Sequence, residues 1–175
     1  MNKRFLFLLL LAHAACLNMG IAWGASKQAT AITSASVPGI LQLSLSQNTQ
    51  SELRFGNISS SILGPTLSTP QSIQIEVTSN TGVKYILTHT ASGPLDNGQG
   101  QSIPLADLQF RTVAANGTGT AVPSFTATIP SAQTVFSSNE QGTSETVSAE
   151  YQLTVPPAQA PGDYSAFITY TVSSV

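Results

Sequence analysis

Charge is what this sequence has least of. Charged residues make up 8% of its 175 positions, against about 25% in an average soluble protein. Ser, Thr, Gln, Asn and Gly stand in their place, which excludes the charge-rich composition of a disordered chain. Lys3 and Arg4 sit together near the start, while Lys27, Arg54, Lys84 and Arg111 are scattered singly. No basic stripe exists to neutralise a run of phosphates, so nucleic acid is not an expected partner. Cys16 is the single cysteine, which excludes an internal disulfide. If Cys16 leaves with a leader, Cys-based metal sites and a thiol nucleophile are excluded too. Histidine is almost as scarce, with His13 and His89 alone, and Trp23 is the one tryptophan. Helical periodicity beyond two turns is missing after the first 24 residues.

What is present begins with a leader. Lys3 and Arg4 precede an apolar run from Phe5 to Ala15, and Ala22-Trp23-Gly24 supplies a small-residue site. This three-part layout predicts a secretory signal over residues 1–24, with an apolar run too short to cross a bilayer as a lone helix. The mature chain then has no transmembrane segment and is expected to be secreted or held at the cell surface. His13-Ala14-Ala15-Cys16 also resembles a bacterial lipobox, with His13 where an aliphatic residue is expected. Lipid attachment at Cys16 is the less favoured alternative.

Residues 25–38 are small and polar and read as an N-terminal arm. From residue 39 onward the chain alternates. Leu41, Leu43 and Leu45 share a face; residues 52–58 read as a second, shorter strand; Ile73, Ile75 and Val77 make the clearest inner face. Asn80-Thr81-Gly82 followed by residues 84–91 is a hairpin signal. Residues 105–113, 125–129, 135–136 and 147–155 follow as strands. Residues 164–172 close the series, with Tyr164, Ala166, Ile168, Tyr170 and Val172 on one face. A side-chain period of two means half-buried strands. Eight or nine of them with regular turn signals predict a single all-β domain over residues 39–175. The expected form is an antiparallel immunoglobulin-like β-sandwich, with a closed barrel as the second choice. The final strand is expected to pair within the chain, with residues 147–155 and 73–77 as its candidate neighbours.

Chemistry has few carriers here. His89 shares a face with Tyr85 and Leu87 and reads as a strand-end histidine near the rim. No G-x-S-x-G motif accompanies it. The eight acidic residues are dispersed, and Glu145 and Glu150 read as solvent-facing. The Asp96-Asn97-Gly98-Gln99-Gly100 loop offers one carboxylate, too few for a good calcium site. An enzyme, a cofactor and a metal are all unexpected.

Two tyrosine triplets carry a resemblance. Tyr85-Ile86-Leu87 follows a turn, and Tyr170-Thr171-Val172 lies near the C-terminus after Pro161-Gly162-Asp163-Tyr164. With Leu53-Arg54-Phe55-Gly56 upstream, their order is similar to the WxL domain of bacterial cell-surface proteins, with Tyr in place of both Trp and Val172 in place of the second Leu. The resemblance implies a structural or binding role at the cell surface. It also implies association with the envelope, through peptidoglycan, or with other surface proteins, and Tyr85, Leu87, Tyr170 and Val172 would make the contact. The terminal strand also resembles the last strand of chaperone–usher pilins and spore coat protein U-like subunits, although the mature chain has no cysteine. That second resemblance implies a fimbrial subunit assembled by strand exchange, with the arm as donor.

Overall fold

The computed structural model describes residues 34–46 and 54–175; the expected leader and most of the expected arm lie outside them. In chain order the strands are β1 (Leu41–Ser46), β2 (Thr66–Leu67), β3 (Gln71–Ser79), β4 (Tyr85–Ala91), β5 (Leu95–Asp96) and β6 (Ser102–Ile103). After a 3-10 turn at Leu105–Asp107 come β7 (Leu108–Ala114), β8 (Thr120–Ala121), β9 (Thr126–Ala127), β10 (Gln133–Ser137), β11 (Glu145–Val155) and β12 (Ile168–Ser174). One sheet runs β1-β3-β11-β7-β9, with β2 beside β11, and the other runs β12-β4-β10-β8. All pairings in both are antiparallel. β5 and β6 form a separate two-stranded antiparallel ladder. The fold is thus all-β, two main open sheets rather than a barrel. Its major strands follow the immunoglobulin pattern, in which the first, second, fifth and fourth strands form one sheet and the third and sixth belong to the other.

The core follows from the period of two. β11 alternates buried and half-buried along its whole length, turning Val147, Ala149, Tyr151, Leu153 and Val155 inward. Ile73, Ile75 and Val77 of β3 and Leu108 and Phe110 of β7 flank it on the same sheet. Tyr85 and Leu87 of β4 and Val135 and Phe136 of β10 meet them from the other sheet. Each large side chain enclosed in this way stabilises the fold by about 1.5–3 kcal/mol.

The hairpin signal at Asn80-Thr81-Gly82 does not make a hairpin. β3 pairs with β1 and β11, whereas β4 pairs with β12 and β10. Both strands are flanked on two sides, so the turn carries the chain from one sheet to the other, and Gly82 supplies the positive φ of 71° it needs. Residues 54–58, the described part of the expected second strand, are irregular, with Gly56 at φ 70°. β12 pairs within the chain as expected, but with β4 rather than with β3 or β11. Glu145, expected in solvent, is 2% exposed.

Candidate functional site

β12 and β1 are the edge strands at the same side of the sandwich, one from each sheet. The phase of each ladder can be read from its ends. Val175 N–H donates to Lys84 O (3.0 Å) and Ser92 N–H donates to Phe167 O (2.8 Å). In an antiparallel pair, bonded and non-bonded partners alternate. Thr169, Thr171 and Ser173, which lie in register with Thr90, Thr88 and Ile86, therefore bond to β4. The N–H and C=O groups of Ile168, Tyr170 and Val172 point the other way, to the open edge. On β1, Asn80 N–H donates to Ile40 O (3.1 Å). By the same alternation, Leu41, Leu43 and Leu45 present their backbone groups outward.

These same residues turn their side chains toward the core without being covered. Ile168, Tyr170, Val172, Leu41 and Leu43 are half-buried, and Leu45 is exposed. Between the edges lies a cleft of about 420 Å³. Leu45 and Ile73 line it from one sheet and Ile168 and Tyr170 from the other, with Phe55, Leu108 and Tyr164 at its sides; among the described residues no charged side chain borders it. In the immunoglobulin pattern the strand equivalent to β12 has a neighbour on both flanks. Here the flank opposite β4 holds no strand among the described residues.

Beneath the cleft a chain of polar groups crosses the core. The Tyr170 hydroxyl lies 2.7 Å from that of Tyr151, which lies 2.8 Å from His89 Nδ1, and His89 Nε2 lies 3.2 Å from Gln133 Oε1. Gln133 is oriented by its surroundings. Its Nε2 donates to Ala127 O (3.0 Å), and its Oε1 accepts from Ile129 N–H (2.8 Å). His89 must therefore carry its proton on Nε2 and accept from Tyr151 at Nδ1. Tyr151 in turn accepts from Tyr170, and each member finds a partner. Burial lowers the His89 pKa, opposed by the Gln133 hydrogen bond. Burial raises both tyrosines, and for Tyr151 the neighbouring Tyr170 adds to the rise. His89 is fully enclosed rather than at the rim. Its phase with Tyr85 and Leu87 was the sequence signal that could have placed it there.

The four residues implied by the WxL resemblance fall into two groups. Tyr85 and Leu87 have no accessible surface. Burial, followed by the Glu145 charge, pushes the Tyr85 hydroxyl up to about 12; it donates to Thr143 O at 3.0 Å. Tyr170 and Val172 are half-buried on the open edge. The structure brings Tyr170 to the cleft, keeps Val172 farther along the same edge strand, and leaves the other two in the core.

Glu145 holds the far end of the sandwich together. Its carboxylate accepts from the N–H groups of Asn116 (2.8 Å) and Thr146 (2.9 Å) and from the Thr118 hydroxyl (3.1 Å). Charge-assisted bonds of this kind offset the cost of enclosing the carboxylate. Glu145→Ala is expected to cost about 2–3 kcal/mol, seen as a lower urea midpoint with an unchanged slope. A midpoint within error of wild type would refute the clamp.

Among the described residues no helix is long and apolar enough to cross a membrane. No protein-family model matches the sequence, and no curated protein matches it. Among solved structures, the chain is similar to a chain from the structure of a chaperone–usher pilus. The TM-score is 0.43 and the identity 16%, over 89% of this chain and 99% of that one.

Proposed function

We propose that this protein is a non-enzymatic structural subunit of the cell surface, exported by its leader and assembled by strand addition. The acceptor is the open edge of β12, and the incoming strand is the segment 25–38 of a second copy. One observation carries the reading: Ile168, Tyr170 and Val172 direct outward backbone groups that pair with no described strand, above a half-covered apolar face. Such an edge offers main-chain hydrogen bonds for affinity and side-chain pockets for register.

Two further features support it. Exposed edges are normally blunted by Lys, Pro or inward charges, yet neither LQLSLS of β1 nor ITYTVSS of β12 contains any of these. The occupant also fits the lining. Among the described residues no charged one borders the cleft, and none occurs from Gln28 to Ser51, where Ala29, Ala31, Thr33, Ala35 and Val37 alternate as small, uncharged side chains. Wall binding, the role implied by the WxL resemblance, would have to act through Tyr170 and Val172 alone, because Tyr85 and Leu87 are enclosed.

A labelled peptide of residues 25–38 tests the reading directly. Saturable binding to the purified protein is expected, with competition between peptide and self-association in size-exclusion profiles. A monomer that ignores the peptide at every concentration would sink strand addition. If that monomer sediments with isolated peptidoglycan, wall binding replaces it.

A further inference from the structure

We infer that protonation of His89 loosens β12, so that the open edge of the sandwich is built to respond to pH. Tyr170 ties β12 to Tyr151 of β11, and Tyr151 ties it to His89 of β4. The strand that borders the cleft is thus joined to the enclosed imidazole of His89 by two hydroxyls.

The neutral network has a single consistent direction. Tyr170 donates to Tyr151, Tyr151 donates to Nδ1, and Nε2–H donates to a glutamine oxygen that Ile129 and Ala127 hold in place. A proton added at Nδ1 removes the acceptor that Tyr151 uses. Tyr151 must then accept from the imidazolium and turn its own proton toward Tyr170. Tyr170 in turn must point its proton away, into the cleft. Among the described residues the charge has no counter-ion: His89 faces Tyr170 from β12, Gln133 from β10, Phe110 from β7 (ring centroids 4.3 Å apart) and Tyr151 from β11. The only titratable groups among these are the two tyrosines, which are neutral at this pH. An enclosed cation without a partner is relieved by water. Tyr170 is the half-buried member, on an edge strand with one neighbour, so water enters by displacing β12.

The sign follows from linkage. Burial holds the folded His89 pKa below its unfolded value of about 6.5. The unfolded and loosened states therefore bind the proton more readily. The stability His89 contributes is fully present above about pH 6.5 and is lost as pH falls toward the folded value. A strand seated in the cleft would shut water out further, so strand uptake should weaken over the same range; this consequence rests on the strand-addition reading.

Hydrogen exchange decides between outcomes. After correction for intrinsic rates, the amides of Thr169, Thr171 and Ser173, which bond to β4, should exchange about tenfold faster at pH 5 than at pH 7.5. The difference should vanish in His89→Gln. Should that variant fail to fold, Tyr151→Phe serves, because it cuts the link between His89 and Tyr170. Equal protection of β12 at the two pH values in wild type overturns the inference, as does a pH response that survives both variants. The peptide of residues 25–38 should bind about tenfold more weakly at pH 5 than at pH 7.5. A peptide that binds at neither pH, with the exchange result intact, removes the assembly reading and leaves the His89 switch standing.

Discussion

Val172→Pro is expected to abolish strand uptake while leaving the subunit folded, whereas Thr171→Pro, one position away, is expected to unfold it. The contrast follows from the phase of the β12–β4 ladder. Val175 N–H and Ser92 N–H make the terminal bonds, so the N–H of Thr171 belongs to β4 and that of Val172 to the open edge. Proline has no N–H to donate, and its ring occupies the side from which a neighbour would approach. At Val172 the change removes a donor that no described strand uses and trims a half-buried side chain, at a cost of about 1 kcal/mol. At Thr171 it strands the C=O of Thr88 and pushes the ring into β4, for at least about 2 kcal/mol. Urea midpoints give the stability arm, and peptide binding with size-exclusion profiles gives the assembly arm. If Val172→Pro still takes up the peptide with wild-type affinity, β12 is not the acceptor edge.

Removal of residues 164–175 should leave no folded domain. The segment carries Tyr164, Ala166, Ile168, Tyr170 and Val172, all packed against the core. At about 1 kcal/mol for each half-covered side chain, and a comparable amount for each lost ladder bond, the total reaches the 5–15 kcal/mol that holds a typical domain together. It would also strip one flank from β4 and open Tyr85, Leu87 and His89 to water. Circular dichroism and thermal melting would show a chain without a cooperative transition. A truncated protein that still melts cooperatively would reduce β12 to an accessory strand.

Much of the sandwich was legible before any coordinates. Alternation alone placed β3 and β11 within one or two residues, because a half-buried strand writes its burial in the sequence, whereas β12 begins at Ile168, four residues after the alternation does. Pairing was less legible. Asn80-Thr81-Gly82 has the composition of a hairpin turn, but composition specifies a reversal and not which sheet the chain enters next. That choice was made by the burial of both strands and by neighbours far away in sequence. Glu145 shows the same limit. Acidic residues are enclosed rarely, and the donors that make its burial tolerable, Asn116, Thr118 and Thr146, are brought together only by the fold. The candidate site was half visible. Tyr170 and Val172 stood out in the final strand. Tyr151 and Gln133, which complete the network under the cleft, lie on strands where nothing local distinguishes them from core and surface residues.

The register of β12 also has a kinetic side. Its partner β4 begins at Tyr85, and the pairing reaches Ser174, so β4 is made long before the strand that covers it. At a synthesis rate of about 5–20 residues per second, the interval is roughly 5–20 s. Through that interval one flank of β4 lacks the neighbour it has in the finished fold. Pairings between strands so distant along a chain also form slowly. A nascent chain therefore leaves this flank of β4 open for seconds, and the strand that closes it is among the last residues to be made.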